Sequence, residues 1–290
     1  MIDGVITKAY GGFYFVNDGK CLWRCTLRGV FRHRKVDVMV GDRVAVEPGN
    51  GRQGVVVKVH PRRNALVRPP VANVDRAVIV FAVHDPQPSL ALLDRLLIHA
   101  GSGGIRPVIC FNKIDLDSGS ALEITSPYAA AGYLVLKTSA RDGTGVEDLK
   151  NVIREGISVF AGPSGVGKSS LLNAIQPGLS LKTGEIGQKI KRGRHTTRHV
   201  ELLPLEEGGL VADTPGFSTL FLPDVKREEL IYFFPEMEKY VPECRFAGCL
   251  HWAEPDCAVK AAVARNDIDS GRYERYLDIL KELIDRERSY

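Results

Sequence analysis

The sequence predicts a multi-domain chain of 290 residues: a small N-terminal β-barrel, a central α/β unit on a parallel sheet, and a short C-terminal helical lobe. Three observations carry this expectation. Residues 1–68 are short β-branched and aromatic runs broken by glycine. Residues 71–222 alternate apolar strand runs with helical patterns, and the stretch GPSGVGKSS at 162–170 joins one such strand to one such helix. Residues 223–290 hold three cysteines and a histidine close together, then Tyr273, Tyr276, Leu277, Leu280 and Ile284 at helical spacing.

In the N-terminal part, strand runs fall at 4–7, 12–16, 21–25, 43–46 and 54–59, with hairpin turns at 17–19 and 48–51. That spacing of short strands suits a small barrel of the oligonucleotide/oligosaccharide-binding (OB) type. Thirteen Lys/Arg face five Asp/Glu over residues 1–68, so this part carries +8 and the rest sums to −4 within a total of +4. Basic residues stand among aromatic ones: Trp23 and Arg24, then Arg28, Phe31, Arg32, His33, Arg34 and Lys35. Cations for phosphate and rings for stacked bases suit RNA. The alternatives are a solvated basic surface, and Trp23 and Phe31 as ordinary core. Cys21 and Cys25 have no partner ligands at a metal-site spacing and read as ordinary residues. Residues 64–70, with two prolines and no periodicity, read as a linker.

The central part opens with a β-branched strand over 74–83 and a helix over 89–100 with Leu90, Leu93, Leu96 and Leu97 on one face. A strand at 107–111 ends in Asn112-Lys113-Ile114-Asp115, at a strand's carboxyl end, where open α/β sheets bind ligands. An aspartate there can accept both the N1–H and the 2-amino group of guanine, and adenine leaves it unpaired. Asn112 would brace the loop and Lys113 would lie over the base. A strand at 133–137 leads into Thr138-Ser139-Ala140, a small-residue turn able to present a backbone N–H to the guanine O6. A helix is expected over 146–154 and a buried strand over 157–161.

Next comes Gly162-Pro163-Ser164-Gly165-Val166-Gly167-Lys168-Ser169-Ser170, the G-x-x-x-x-G-K-S phosphate loop of a nucleoside triphosphatase. Glycines let backbone N–H groups turn inward around phosphates, and the following helix adds its positive end. Lys168 would bridge the β- and γ-phosphates, and the Ser169 hydroxyl would reach Mg²⁺. Residues 182–199 are polar, glycine-rich and basic, and read as the first switch loop. A threonine there should complete the Mg²⁺ shell, Thr197 rather than Thr196. A strand at 209–212 then runs into Asp213-Thr214-Pro215-Gly216: Asp213 would serve the Mg²⁺ shell and the Gly216 N–H would sense the γ-phosphate. The following residue, Phe217, cannot hydrogen-bond a water. His195 is the candidate for orienting it, with a group supplied by a partner as the rival.

The guanine-nucleotide motifs are thus rotated: the base-side pair precedes the phosphate loop. The sheet can stay unchanged if the old termini join through 154–157 and new ends open after Gly216. The segment after Gly216 then leads straight to the C-terminal lobe, so nucleotide state can move that lobe.

In the lobe, Cys244-x₄-Cys249-x-His251-x₅-Cys257 offers a Cys₃His set suited to tetrahedral structural zinc, although the spacing differs from the common C-x₂-C finger. The alternative is three reduced cysteines in a loop. The N-terminus lacks the regions of a signal peptide, and the longest apolar run, 77–83, is too short to span a bilayer. The expectation is a cytoplasmic protein without disulfides.

Taken together, the basic OB-like head, NKID, SA, GPSGVGKS, GRHTT, DTPG followed by phenylalanine, and the Cys/His spacing resemble the circularly permuted, ribosome small subunit-dependent GTPases of bacteria, the RsgA or YjeQ family. The resemblance covers essentially the whole chain. It implies GTP/GDP with Mg²⁺ and one structural Zn²⁺ as cofactors, with Cys244, Cys249, His251 and Cys257 as the zinc ligands. It supports His195, from the family's GRHTT loop, as the water-orienting residue. It also implies GTP hydrolysis stimulated by the small ribosomal subunit, contacts with that subunit's rRNA by head and zinc lobe, and a role in late subunit maturation. A monomer without membrane partners is expected. The competing reading is an RNA-binding assembly module whose nucleotide is structural and turns over little.

Overall fold

The structure is a computed structural model and describes residues 1–33, 37–67, 69–179, 200–213 and 222–288. The head contains β1 (Ile2–Tyr10), β2 (Phe13–Asn17), β3 (Leu22–Leu27), a short helix α1 (Gly29–His33), β4 (Arg43–Pro48) and β5 (Gln53–Val59). β1 pairs with both β2 and β4, β3 runs parallel to β5, and β5 pairs with β4, so the ring of five strands closes. Alternate side chains point inward, and Ile6, Val16, Cys25, Val44, Val46 and Val56 form the barrel core. Tyr14 and Trp23 pack against it. The β2–β3 turn is locked by Asp18, whose carboxylate accepts from the Cys21 and Lys20 amides and, at 2.8 Å, from the Trp23 indole. The Cys21 amide and Trp23 bonds hold the Asp18 carboxyl well below the usual carboxylate range. Trp23 is therefore half-buried and tied to a turn.

The expected linker is a structured strap. β6 (Ala65–Val67) and β7 (Pro70–Ala72) pair antiparallel as a two-stranded ribbon. Asn64 exchanges hydrogen bonds with Val74, and Asn73 donates to the Gly41 carbonyl and accepts from the Arg63 amide. Strands of three residues are too short to show a period, and side-chain amides do the fastening.

The central unit comprises β8 (Arg76–Ala82), α2 (Leu90–Ser102), β9 (Arg106–Asn112), α3 (Ser118–Ala130), β10 (Leu134–Lys137), α4 (Val146–Ile153), β11 (Ile157–Ala161), α5 (Lys168–Ile175), β12 (Glu201–Pro204) and β13 (Leu210–Asp213). β10, β9, β8, β11 and β13 are parallel neighbours in that order, and β12 adds antiparallel to β13. β12 also meets β1 at Lys8↔Glu201, where the two side chains form a 2.9 Å ion pair, so barrel and central sheet are continuous. One face buries Leu93, Leu96 and Leu97 of α2 and Tyr128 of α3, and the other buries Leu149 of α4 and Leu171, Leu172 of α5. α2 begins where Ser89 Oγ accepts from the Leu92 amide. Sequence patterning does not reveal α3, because SGSALEITSPYAA lacks an apolar stripe and contains Pro127; Tyr128 anchors it.

The C-terminal lobe has a 3₁₀ turn at Arg227–Phe233, then α6 (Pro235–Glu238), α7 (Ala258–Ala264) and α8 (Ser270–Arg288). Leu230, Phe234, Met237, Val259, Tyr276 and Leu280 form its core. Tyr276, Leu280 and Ile284 of the expected α8 stripe are buried, Tyr273 and Leu277 pack at its edge, and Arg272 is buried with them. Among the described residues, no helix is long and apolar enough to cross a membrane.

Candidate nucleotide site and metal centre

The loops after β8, β9, β10 and β11 gather at the carboxyl end of the parallel sheet. β11 is buried along its whole length, and Gly162 follows it at φ +126°. A Cβ there would lie 2.1 Å from the Val80 carbonyl oxygen, so the strand can turn into its loop only at glycine. Gly167, at φ +92°, leads into α5, and a Cβ on it would meet Asn112 Nδ2 at 2.4 Å. Ser164, Gly165 and Ser170 face solvent, and Ser169 is half-buried in the first turn of α5. Lys168 folds across its own loop: Nζ donates to the Gly162 carbonyl (2.9 Å) and the Pro163 carbonyl (2.6 Å). Burial pulls its pKa down.

Asn112, buried at the end of β9, joins the loops. Nδ2 donates to the Val166 carbonyl of the phosphate loop at 2.9 Å. Oδ1 accepts from Thr138 Oγ1 and from the Ala140 amide, both at 3.2 Å. Asp115 Oδ1 accepts from Ser139 Oγ at 2.8 Å, and Arg141 stands 3.8 Å from Oδ2. The structure therefore brings Asn112, Lys113, Asp115, Ser139, Ala140 and the phosphate loop to one end of the sheet, as the motifs require. β13 ends at Asp213, in a strand beside β11. The Asp213 side chain, and His195, Thr196, Thr197 and Gly216, lie outside the described residues.

The turn at 84–86 has no sequence motif, yet it forms a further wall. Lys113 Nζ donates to the Asp85 carbonyl at 2.5 Å. Pro86 Cδ would stand 3.8 Å from a Cβ on Gly165. Only its place after β8, between β9 and β11, brings it here.

In the lobe, the ligand atoms of Cys244, Cys249, His251 and Cys257 all lie within 4.8 Å of one another. His251 Nδ1 is 3.6 Å from Cys244 Sγ and 3.4 Å from Cys257 Sγ. Tetrahedral zinc with ordinary Zn–S and Zn–N bonds sets sulfur–nitrogen edges of about 3.5 Å. The set therefore fits zinc. Glu254 accepts from the Leu250 and Trp252 amides, and the Tyr273 and Tyr276 hydroxyls donate to the His251 and Leu250 carbonyls, which holds the cluster's backbone. Burial pushes the Cys249 thiol up to about 12 and lowers His251. Cys25 is a barrel-core residue, and Cys21 a turn residue beside Asp18.

A parallel sheet whose NKxD and SA loops precede its phosphate loop, closed off by an OB-like barrel on one side and a Cys₃His lobe on the other, defines a circularly permuted P-loop GTPase. The family models for the RsgA N-terminal domain and the RsgA GTPase match residues 3–56 and 59–223. The chain belongs to the RsgA GTPase family and is a GTP-hydrolysing enzyme. It is 50% identical over 289 residues to the small ribosomal subunit biogenesis GTPase RsgA of Moorella thermoacetica, covering 100% of both chains. The RsgA of Caldanaerobacter subterraneus is 46% identical, with 99% of this chain and 97% of that one covered. Among solved structures, the circularly permuted GTPase YloQ superposes with a TM-score of 0.84 at 41% identity, covering 99% of this chain and 96% of that one. YjeQ from Thermotoga maritima gives 0.87 at 38% identity, with 98% of each chain covered.

Proposed function

We propose that this GTPase binds the small ribosomal subunit and its rRNA, hydrolyses GTP when the subunit stimulates it, and assists late subunit maturation. The full-length likeness to relatives named for small-subunit biogenesis supports the partner. The observation that carries the enzymatic part is Asn112, which fastens the base-side turn and the phosphate loop into one cradle. The protein acts in the cytoplasm as a monomer of three parts, residues 1–68, 71–222 and 223–290. The basic head and the Cys₃His lobe are its RNA-facing appendages.

Within the cradle, Asp115 accepts from guanine N1–H and the 2-amino group while Ser139 holds its carboxylate. The Ala140 turn faces O6. Phosphates lie in the ring of amides from 162 to 170. Lys168 exchanges the Gly162 and Pro163 carbonyls for phosphate oxygens, a stronger charge-assisted pairing. Ser169 and Thr197 would hold Mg²⁺, with Asp213 in support; when bound, the ion would supply neutralisation of charge developing on the phosphates. The Gly216 N–H senses the γ-phosphate. His195 orients the attacking water, since Phe217 cannot. The lobe residues Cys244, Cys249, His251 and Cys257 hold one structural zinc.

Steady-state GTP turnover with and without purified small subunits tests this reading. Stimulation by the subunit is expected, and its absence would favour an assembly module with a structural nucleotide. His195→Ala should keep GTP affinity and lose turnover; undiminished turnover would remove His195 from the mechanism.

A further inference from the structure

The leucine stripe of α2 hides one acidic residue, Asp94, which is 1% exposed. Its partners come from two other elements. Oδ1 accepts from the Tyr128 hydroxyl of α3 (2.8 Å) and from Arg272 Nη1 of α8 (2.5 Å), and Oδ2 accepts from Arg275 Nε (2.6 Å). Arg272, also 1% exposed, donates through Nε to Glu236 Oε1 of α6 at 2.7 Å. Its guanidinium lies 4.5 Å from the Phe234 ring centroid, 4.9 Å from Tyr128 and 5.8 Å from Tyr133. One guanidinium is thus wedged between one ring of the lobe and two rings of the GTPase unit.

Around this centre the seam is close. Arg95 of α2 pairs with Glu282 of α8, and the Tyr133 hydroxyl donates to the Phe233 carbonyl at 3.0 Å. A Cβ on Gly101 would stand 2.8 Å from the Phe233 ring, so α2 meets the lobe at a glycine. Ile98 of α2 belongs to the lobe's core. Opposite charges buried as a set resist partial separation, because moving one partner away strands the other. Such a seam is either docked or open, which is the property a two-state coupling element needs.

At its other end α2 is continuous with the turn at 84–88. That turn supplies the carbonyl that Lys113 grips and the proline beside Gly165. One rigid helix therefore has the lobe on its flank and the nucleotide loops at its head.

We propose that Arg272 and Arg275 are positioning residues for guanine nucleotide: through Asp94 they fix α2 to the C-terminal lobe, and through the 84–88 turn they set how firmly Lys113 and the phosphate loop hold the ligand. This route is separate from the covalent path that runs from Asp213 to the lobe. Linkage makes it reciprocal, so nucleotide tightens the lobe as the docked lobe tightens nucleotide.

The test uses the full-length protein and a fluorescent GDP. Arg272→Met with Arg275→Met should speed GDP dissociation about 5- to 20-fold, a coupling within the usual allosteric range. Amide exchange should rise together at the lobe seam and in residues 84–94. In a Lys113→Ala background the clasp substitutions should add less loss than they do in the parent, because part of their effect passes through the Lys113 contact. A second set, Arg272→Met, Arg275→Met, Asp94→Asn and Glu236→Gln together, removes the charges without stranding one, and the rim variant Glu282→Ala leaves the buried centre intact. Both should shift GDP dissociation in the same direction, and they decide the matter if the first variant fails to fold. A loosened lobe with GDP dissociation within twofold of the parent would overturn the proposal. So would losses from the clasp and from Lys113→Ala that multiply independently.

Discussion

Replacing Asn112 by alanine removes the side chain that ties the phosphate loop to the base-side turn. The Val166 carbonyl, buried, and the Ala140 amide, part-buried, each lose their Asn112 partner. Thr138 Oγ1 keeps Cys110 Sγ at 3.2 Å and is less affected. A buried polar group left unpaired costs about 1–3 kcal/mol. Two such groups put the loss near 3 kcal/mol, a large share of the roughly 5–15 kcal/mol that holds a typical domain together. Urea unfolding followed by circular dichroism reads the stability, and fluorescent GDP binding should weaken at least tenfold because the two halves of the cradle are no longer fastened. Asn112→Asp sharpens the case. The aspartate keeps the acceptor but sets a carboxylate oxygen against the Val166 carbonyl, so burial and repulsion raise its pKa above the unfolded value of about 3.9. A group with a raised folded-state pKa stabilises when protonated and loses that contribution as pH rises through its folded value. The gap between Asn112→Asp and the parent should therefore be wide near pH 8 and narrow steadily as pH falls toward the unfolded value of about 3.9, because the protonated form can donate to Val166. An alanine variant within about 0.5 kcal/mol of the parent, or an aspartate variant indifferent to pH, would refute the assigned hydrogen-bond scheme.

Other expected outcomes bear on the same site and on the lobe. Gly167→Ala forces a side chain onto φ +92° and within 2.4 Å of Asn112 Nδ2, so nucleotide binding should fall more than tenfold on the order of a lost cradle contact; unaltered binding would contradict the close approach. Asp115→Asn exchanges an acceptor for a donor, and competition between xanthosine and guanosine diphosphates should show preference moving to xanthine, which has a carbonyl where guanine has its amino group; retained guanine preference would count against Asp115 as the base reader. Metal analysis should find one zinc per chain, lost in Cys257→Ser and released as pH falls, because thiols and imidazole must be deprotonated to ligate. A metal-free lobe with undiminished stability would leave the Cys₃His cluster without a structural ion.

Much of the fold is legible because the physics is local. β11 is a buried parallel strand along its whole length, and β8 and β9 are buried beyond their first one or two residues; such strands read as continuous apolar sequence. The turn at 17–19 and the phosphate-loop glycines each announce a backbone conformation. Other elements are hidden for definite reasons. α3 has no amphipathic stripe, and a single ring, Tyr128, holds it. The β6–β7 strap is too short for a period and is fastened by Asn64 and Asn73. Asp94 and Arg272 lie at positions an apolar pattern would give to leucine, and each is tolerated because partners brought from other elements, the other of the pair among them, satisfy its charge.

By itself the sequence determined the order of parts, the phosphate loop, the NKID and SA turns, the permutation and the cysteine–histidine set. These depend on residue type and spacing along a short stretch. Tertiary structure alone decided what distant stretches do to one another: Asn112 as the tie between loops, the 84–86 turn as a wall of the site, the strap between barrel and sheet, and the buried arginine seam between α2 and the lobe. A charged residue inside an apolar face carries no local signal, because its stability comes wholly from a partner that chain folding brings to it.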